Sequence, residues 1–279
     1  MVNVDNPQEL TFGSLFSGAG GLDLGLEQAG MRCTFQVEND KHCLTILNGH
    51  WPDVPKNQIR PCMGLVGGDP CPIRSNLGRS SRTSSPDMSG YFLAMAYRCK
   101  PRWILRENVC APDVQEFISA LEVLGYDAAI VEANGAAFTG QSRRREFVAG
   151  FDTAETRERF SELVLRQSNT EECCLERISK RKAIKCLNTR SRSGISIYHD
   201  FVFEGTKWGF RSLTHVERES LQGLPTGWTG GIPHSARERA VGNAVTVPVA
   251  KWLGERIKEA LTEASPSRPT CDCRLRWSA

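Results

Sequence analysis

The sequence predicts an α/β fold in which a parallel sheet carries helices on both faces. Strand-like and helix-like runs alternate through the first half of the chain, a glycine-rich turn joins the first predicted strand to the first predicted helix, and polar residues follow several strands. Alternation of this kind is typical of strand–helix–strand units, in which a helix connects two parallel strands.

Each predicted strand is a short apolar run that ends at a glycine or a polar residue. The predicted strands cover residues 10–16, 33–37, 64–67, 103–105, 128–131 and 146–150. The predicted helices have apolar residues at helical spacing; in the first of them Leu22, Leu26 and Ala29 share one face, and Gly30 follows as a cap. The predicted helices cover residues 22–28, 88–99, 114–124, 217–222 and 244–261.

The alternation ends after Phe151. Residues 152–205 are polar, basic and weakly periodic, which indicates a small second domain or a long insertion. We therefore expect a main domain formed by residues 1–151 and 211–264, an inserted region at 152–210, and a poorly ordered tail at 265–279.

The composition is that of a folded protein of 279 residues, with 40% hydrophobic and 24% charged residues. The eleven cysteines are scattered and odd in number, so we expect reduced thiols. No stretch resembles a signal peptide or a membrane span, and we expect a soluble cytoplasmic protein. The pairs Cys173-Cys174 and Cys271-x-Cys273 lack regular ligand spacing and nearby histidines, so no metal site is predicted.

Positive charge is concentrated in two segments, although the net charge is only +3. Residues 177–192 contain seven Lys or Arg and no acid, and residues 72–86 contain three Arg and no acid. Such segments are typical of phosphate contacts; a solvated basic face is the alternative interpretation.

The glycine-rich turn Phe16-Ser17-Gly18-Ala19-Gly20-Gly21 follows the first predicted strand. Glycines there allow a ligand to approach the backbone and the N-terminus of the next helix. Glu38 follows the second strand, where an acid can accept both ribose hydroxyls of a nucleotide. Asp23 stands where a dinucleotide-binding pattern has its third glycine, which favours a cofactor without a pyrophosphate over NAD. An unrelated turn with a surface acid is the alternative.

Seven motifs, in one order, resemble those of the cytosine-5 DNA methyltransferase family and cover most of the chain outside residues 152–205. The motifs are Phe16-x-Gly18-x-Gly20-Gly21, Glu38, Pro70-Cys71, Glu107-Asn108-Val109, Gln141-x-Arg143-x-Arg145, Arg211-x-Leu213-Thr214-x-x-Glu217 with Leu221-Gln222-Gly223-Leu224-Pro225, and Gly242-Asn243-Ala244-Val245. Any one of them occurs by chance, whereas seven in order are specific.

The resemblance implies a Rossmann-like fold that binds S-adenosylmethionine, released as S-adenosylhomocysteine, with a small target-recognition domain inserted at residues 152–210. The cofactor-binding residues that it implies are Phe16, Ser17, Gly18, Gly20, Gly21, Leu22, Glu38, Asn39, Gln58, Asp69, Pro70, Asn243, Ala244 and Val245.

The resemblance also implies methyl transfer to C5 of a flipped-out cytosine in double-stranded DNA, through a covalent adduct of Cys71 with C6. Glu107 would hold N3 and the amino group of the base, Arg145 would hold its O2, and Arg143 would help to position it.

We expect DNA contacts from the two basic segments and the arginine motif. Of the two segments, residues 177–192 lie where the family keeps its target-recognition region. The expected DNA-binding residues are Arg74, Arg79, Arg82, Gln141, Lys180, Arg181, Lys182, Lys185, Arg190 and Arg192. The resemblance is to bacterial or phage modification methylases of restriction–modification systems, so we expect a monomer without an obligate protein partner.

Two positions depart from the family pattern. The family's third cofactor motif usually carries an Asp that reads the adenine amino group; the nearest match is Asn57-Gln58-Ile59, which makes Gln58 the candidate substitute. Gly140 stands where a Pro usually precedes Gln141.

Two other functions stay open from sequence alone. A catalytically silent DNA-binding relative is disfavoured because all the catalytic residues are present. An RNA cytosine-5 methyltransferase is disfavoured because RNA-acting relatives from another branch use an additional catalytic cysteine, and Cys71 has no partner in such a motif.

Overall fold

The computed structural model describes residues 9–70, 88–110, 114–179, 184–185, 201–203 and 210–262. A six-stranded sheet lies at its centre, in the strand order β2-β1-β3-β4-β7-β5. Its strands are β1 (Thr11–Leu15), β2 (Arg32–Val37), β3 (Gly64–Gly67), β4 (Trp103–Asn108), β5 (Asp127–Asn134) and β7 (Arg144–Phe151).

Four short strands form two further pairs. Strand β6 (Gln141–Ser142) pairs in parallel with β8 (Ile184–Lys185), and β9 (Phe201–Phe203) pairs antiparallel with β10 (Phe210–Ser212). The first pair brings residues 184–185 beside the segment that leads into β7.

Helices cover both faces of the central sheet. They are α1 (Gly21–Gln28), α2 (Lys41–His50), α3 (Ser89–Cys99), α4 (Val114–Val123), α5 (Ala136–Thr139), α6 (Ala154–Ser179), α7 (His215–Leu221), α8 (His234–Asn243) and α9 (Val247–Thr262). One core packs α1, α9 and the start of α6 on the sheet, and the other packs α3 and α4 on the opposite face.

Neighbouring residues of a strand contribute to opposite cores, as the alternation of side chains requires. In β4, Trp103 and Leu105 belong to the core with α1 and α9, whereas Ile104 between them belongs to the core with α3 and α4. Because both faces are covered, the central residues of these strands are apolar on both sides, and this explains why the sequence showed continuous apolar runs. The predicted α/β architecture is confirmed.

The prediction of an all-parallel sheet is wrong for one strand. Strand β7 runs antiparallel to both of its neighbours, β4 and β5. Only the short helix α5 lies between β5 and β6, and so the chain turns back directly instead of crossing the sheet. The start of β7 therefore lies at the edge where β4 ends, and Asn108 is paired with Glu146.

Four of the described helices, α2, α5, α6 and α8, were not predicted from the sequence. Helices α2 and α8 pack together with Trp51 and Trp228 in a third cluster beside the first turn of the molecule. Helix α6 begins in the polar segment that follows Phe151, and its Phe160 is fully buried with the ring centroid 5.2 Å from that of Phe151. No helix in the described part of the chain is both long and apolar enough to cross a membrane.

Candidate active site

The turn between β1 and α1 has a backbone that most side chains avoid. Phe16, Gly18 and Gly20 have φ values of 53°, 56° and 77°. Left-handed conformations are accessible to glycine at little cost, whereas a bulky residue such as Phe16 is strained there. Strain of this kind persists where the surrounding structure holds it, and it is typical of ligand-binding turns.

Close packing explains the two glycines that end the turn. A Cβ atom on Gly20 would lie 2.5 Å from the Trp51 ring, and one on Gly21 would lie 2.4 Å from the backbone oxygen of Val245. The predicted C-terminal cofactor block therefore lies directly against the turn, as the resemblance implies. Ala244 and Val245 are buried there, whereas Asn243 is exposed.

The carboxylate of Glu38 is held beside the turn by three backbone N–H groups. Its Oε2 accepts a hydrogen bond from Gly18 at 2.7 Å, and its Oε1 accepts from Asn39 and Asp40, both at 2.8 Å. The Oδ1 atom of Asn57 accepts from the Glu38 N–H at 3.0 Å. A rigid carboxylate next to a glycine turn at the carboxyl edge of the sheet suits the binding of ribose hydroxyls.

Gln58 lies next to Asn57 but is exposed, and its Oε1 accepts a hydrogen bond from Arg60 at 3.0 Å. Asn57 has a φ of 57°, which places it in the left-handed region that Asn tolerates better than most residues. The sequence singled out Gln58, whereas the residue that contacts Glu38 is Asn57.

A buried network of hydrogen bonds around the Asp23 carboxylate connects β1, the turn, α1 and β2. Ser14 donates to Oδ1 of Asp23 at 2.6 Å, Gln36 donates to Oδ2 at 2.7 Å, and Ser17 donates to Ser14 at 2.9 Å. Asp23 is fully buried, and burial raises its pKa to about 6 even though the hydrogen bonds from Ser14 and Gln36 oppose that shift. Within the described residues, Gln36 Oε1 has no hydrogen-bond partner.

Asp69 lies at the end of β3 and forms a buried ion pair with Arg106 of β4. Nε of Arg106 lies 2.5 Å from Oδ1, and its second terminal nitrogen lies 2.7 Å from Oδ2. Asn108 adds a donor 3.3 Å from Oδ1. The structure thus gives this carboxylate a partner other than the predicted cofactor, because its side chain is 0% exposed and accepts from Arg106 and Asn108.

Glu107, between Arg106 and Asn108, points to the other side of β4. Nε of Arg145 lies 3.1 Å from its Oε1, with side-chain exposures of 19% and 10% for the two residues. The pair lacks hydrogen-bond alignment, and no described residue donates a hydrogen bond to this buried oxygen. The structure therefore brings two predicted catalytic residues together and leaves a buried carboxylate oxygen for a ligand.

Two other residues of the arginine motif have buried side chains that donate hydrogen bonds to backbone oxygens in the C-terminal part of the chain. Gln141 is 0% exposed and donates to the backbone oxygen of Leu221 at 3.2 Å. Arg143 is 4% exposed and donates to the backbone oxygen of Gly242 at 3.0 Å. In this structure Gln141 supports α7 rather than a DNA surface, and Arg143 supports the C-terminal cofactor block.

Several predicted site residues lie outside the described part of the chain. These residues are Cys71, Arg74, Arg79, Arg82, Lys180, Arg181, Lys182, Arg190 and Arg192. The backbone of Lys185 is described and pairs with Ser142. The backbone of this predicted DNA-binding residue thereby lies beside Ser142, which is two residues before the start of β7, the strand that carries Arg145.

The model of the C-5 cytosine-specific DNA methylase family matches this chain over residues 10–189 and 166–259. The chain belongs to this family. The family, the fold and the DNA cytosine-5 methyltransferase activity that the motifs predicted are thereby confirmed, and this family takes DNA as substrate and S-adenosylmethionine as methyl donor.

Relatives and solved structures agree with the family match. The type II methyltransferase M2.BsuMI of Bacillus subtilis (strain 168) is 27% identical, over 88% of this chain and 75% of its own length. The type II methyltransferase M.FnuDI of Fusobacterium nucleatum is 31% identical, over 50% of this chain and 46% of its own length. The S. pombe Dnmt2 methyltransferase shares the fold, with a TM-score of 0.67 at 15% identity, over 91% of this chain and 99% of its own.

Sequence reasoning missed two residues that hold the glycine-rich turn and the segment around Ala244 that packs against it. Trp228 donates to the backbone oxygen of Ala19 at 2.8 Å and stacks on His50 with ring centroids 3.5 Å apart. Gln222 donates to the backbone oxygens of Val241 and Ala244 at 2.9 and 3.2 Å. The motif around Gln222 signalled the family, but its role as a clamp on the cofactor block depends on distant backbone groups.

Proposed function

We propose that this methylase acts on cytosine through a covalent adduct between Cys71 and C6 of a base flipped out of double-stranded DNA. The observation that carries the proposal is the Glu107–Arg145 ion pair, whose buried Oε1 has no hydrogen-bond donor among the described residues. A buried oxygen that faces a positive charge but accepts no aligned hydrogen bond costs free energy, and the amino group of a bound cytosine would supply the missing donor.

The position of Glu107 supports its assignment as the group that holds the base. A Cβ atom on Gly68 would lie 3.0 Å from its Oε2, so Glu107 directly contacts the segment that leads to Cys71. Arg145 brings a positive charge to the same place, which suits the O2 atom of cytosine. Both residues lie at the carboxyl edge of the sheet, where open α/β sheets bind their ligands.

The residues at the cofactor turn fit S-adenosylmethionine. The carboxylate of Glu38 lies beside Gly18. The space next to Gly18 is open, since a Cβ atom added there would have the Phe16 backbone oxygen, at 3.9 Å, as its nearest neighbour among the described residues. Space at the turn and a fixed acceptor beside it suit an adenosine ribose. When bound, the cofactor supplies an electrophilic methyl group.

The proposed reaction begins when the Cys71 thiolate attacks C6 and forms a sulfur–carbon bond. The electron pair moves to C5, and a proton from Glu107 reaches N3. C5 then accepts the methyl group that the bound cofactor would supply, which leaves the neutral thioether S-adenosylhomocysteine. A base, with water as our default assignment, removes the C5 proton, the C5–C6 double bond re-forms as the Cys71 thiolate leaves, and the N3 proton returns to Glu107.

We further propose that the inserted region reads the DNA target. The β6–β8 pair supports this assignment, because it places residues 184–185, within the basic run, beside the motif that contains Arg143 and Arg145. In the proposed division, residues 1–151 and 211–264 form the catalytic domain and residues 152–210 form the recognition region of a monomeric enzyme. Phosphate contacts from the basic segments would offset the cost of base flipping, which is about a few kcal/mol, and would make binding fall steeply with salt.

The test compares Cys71→Ser with Cys110→Ser, using labelled cofactor and double-stranded DNA of varied sequence. Cys110 is a suitable control because it is an exposed thiol three residues after Glu107. We expect Cys71→Ser to bind the cofactor but to lose turnover, and Cys110→Ser to stay active. Wild-type turnover in Cys71→Ser would refute the covalent mechanism, and loss of turnover in both variants would favour the two-cysteine mechanism of the RNA-acting enzymes.

A further inference from the structure

The ion pair between Asp69 and Arg106 lies at the point where two catalytic segments begin. In the parallel pairing of β3 with β4, Arg106 is the register partner of Gly67, and its side chain extends along the strand direction to Asp69. Asp69 precedes Cys71 by two residues, and Arg106 directly precedes Glu107. The pair thus connects the segment of the nucleophile to the segment that holds the base.

Both charges are removed from water. The side chains of Arg106 and Asp69 are 1% and 0% exposed, and the Arg106 guanidinium also lies over the Phe117 ring, 4.0 Å from its centroid. Moving two charges into the interior costs so much that a pair of apolar side chains of similar volume is often as stable or more stable. Stability alone is therefore a weak reason for such a pair at this position.

The geometry of the pair is restrictive. Two nitrogens of the planar guanidinium reach the two carboxylate oxygens at 2.5 and 2.7 Å, an arrangement that sets the orientation as well as the distance of both groups. Asn108 extends the restraint, since its side-chain nitrogen lies 3.4 Å from the Asp69 backbone oxygen and its Oδ1 accepts from the Val109 N–H at 2.8 Å. Both neighbours of Glu107 are thereby tied to Asp69.

We infer that Asp69 and Arg106 are positioning residues for methyl transfer, which set the placement of the Cys71 thiol relative to the Glu107 carboxyl. The inference rests on the proposed covalent mechanism. Consecutive strand residues point to opposite faces, so Arg106 anchors the strand from one side while Glu107 faces the base from the other. Because a misplacement of about 1 Å can lower a rate by about 100-fold, a bidentate pair at this position has a direct effect on the chemical step.

A second buried Arg–Asp pair at the opposite end of β4 provides a matched control. Arg102, just before β4, pairs with Asp152, just after β7, with Nε 3.3 Å from Oδ2 and side-chain exposures of 8% and 0%. It has the same residue types and similar burial, and it lies five residues before Glu107 at the far edge of the sheet. Arg102→Lys therefore reports what the loss of a buried guanidinium–carboxylate contact costs in stability alone.

The experiment compares Arg106→Lys, Asp69→Asn, the double variant and Arg102→Lys. Each is assayed for unfolding temperature, for kcat and KM with DNA and cofactor, and for the rate of covalent capture on DNA that carries 5-fluorocytosine, whose fluorine blocks the final elimination. We expect Arg106→Lys to lower kcat and the capture rate about 10- to 100-fold with KM unchanged, and Arg102→Lys to lower the unfolding temperature with kcat unchanged.

The double variant should be no slower than the worse single variant, because both changes break one interaction. Wild-type kcat in Arg106→Lys, or an equal loss of kcat in Arg102→Lys, would overturn the inference. If the wild-type enzyme itself forms no adduct, or if Cys71→Ser turns over, the covalent mechanism has failed instead, and the two failures are thus distinguishable.

Discussion

Replacing Asp23 with Asn is expected to stabilise the protein at neutral pH. Asp23 is fully buried, and burial raises its pKa from 3.8 to about 6 against the opposing hydrogen bonds from Ser14 and Gln36. The folded state therefore holds the proton more tightly than the unfolded state does. At 1.36 kcal/mol per pKa unit, ionisation of Asp23 costs about 3 kcal/mol of stability once the pH is well above 6.

The sign follows from the direction of the shift. Between about pH 4 and pH 6 the unfolded chain loses this proton while the folded chain keeps it, so Asp23 makes the wild-type protein less stable as the pH rises through that window. An Asn at position 23 has no charge to bury. Among the described residues, the Oε1 atom of Gln36 has no hydrogen-bond partner. If the Gln36 side-chain amide flips, this oxygen can accept a hydrogen bond from the amide nitrogen of Asn at position 23.

Urea unfolding of both proteins across about pH 4 to pH 8 measures the difference. We expect Asp23→Asn to gain up to about 3 kcal/mol at the alkaline end and nothing at the acidic end. Asp152→Asn is the control, because it removes a buried carboxylate that is paired with Arg102 and should lose stability at neutral pH. A variant that is less stable than wild type at pH 8, or a difference that does not change with pH, would refute the reasoning.

Three further substitutions test the packing around the cofactor turn. Gly21→Ala should weaken S-adenosylmethionine binding in calorimetric titration and cost about 1–3 kcal/mol, since the new Cβ would lie 2.4 Å from the backbone oxygen of Val245; unchanged affinity would contradict this. Trp228→Ala should cost about 3–5 kcal/mol in thermal or urea unfolding through its lost stack and its bond to Ala19, with Trp228→Phe intermediate. Glu219→Gln should lower stability at neutral pH by about 1–3 kcal/mol. Burial acts to raise the pKa of the Glu219 carboxyl, but hydrogen bonds from three residues outweigh burial and hold that pKa below its usual value. The stabilisation by Glu219 is present above the unfolded pKa and is lost as the pH falls. The difference in stability between wild type and Glu219→Gln should therefore shrink in acid, and a difference that grows there would contradict the prediction.

The cofactor half of the site could be predicted from the sequence because its parts are local. The turn and Glu38 each follow a strand directly, and the carboxyl ends of neighbouring parallel strands meet at one edge. The family resemblance implied that Glu107 and Arg145 hold the same base. The contact between the two side chains could not be predicted, because it depends on β7 running antiparallel beside β4.

The supporting residues could not be predicted, since their partners are backbone groups far away in the sequence. The oxygen that Gln141 binds belongs to a residue 80 positions later, and the one that Arg143 binds lies 99 positions later. Nothing in a polar motif distinguishes a side chain that faces DNA from one that clamps a distant loop. Trp228 was missed for the same reason, because it binds a carbonyl 209 positions earlier.

The antiparallel strand β7 also determines how the chain reaches its recognition region. It ends at Phe151, at the edge of the sheet away from the catalytic residues, so the chain must travel back along the whole sheet. Helix α6 has 26 residues, which at 1.5 Å per residue gives about 39 Å, whereas the eight residues of β7 span about 27 Å. The helix is therefore long enough to pass the edge of the sheet at which Glu107 and Arg145 lie. One helical turn more or less in α6 would move the end of the helix by about 5.4 Å without changing either residue.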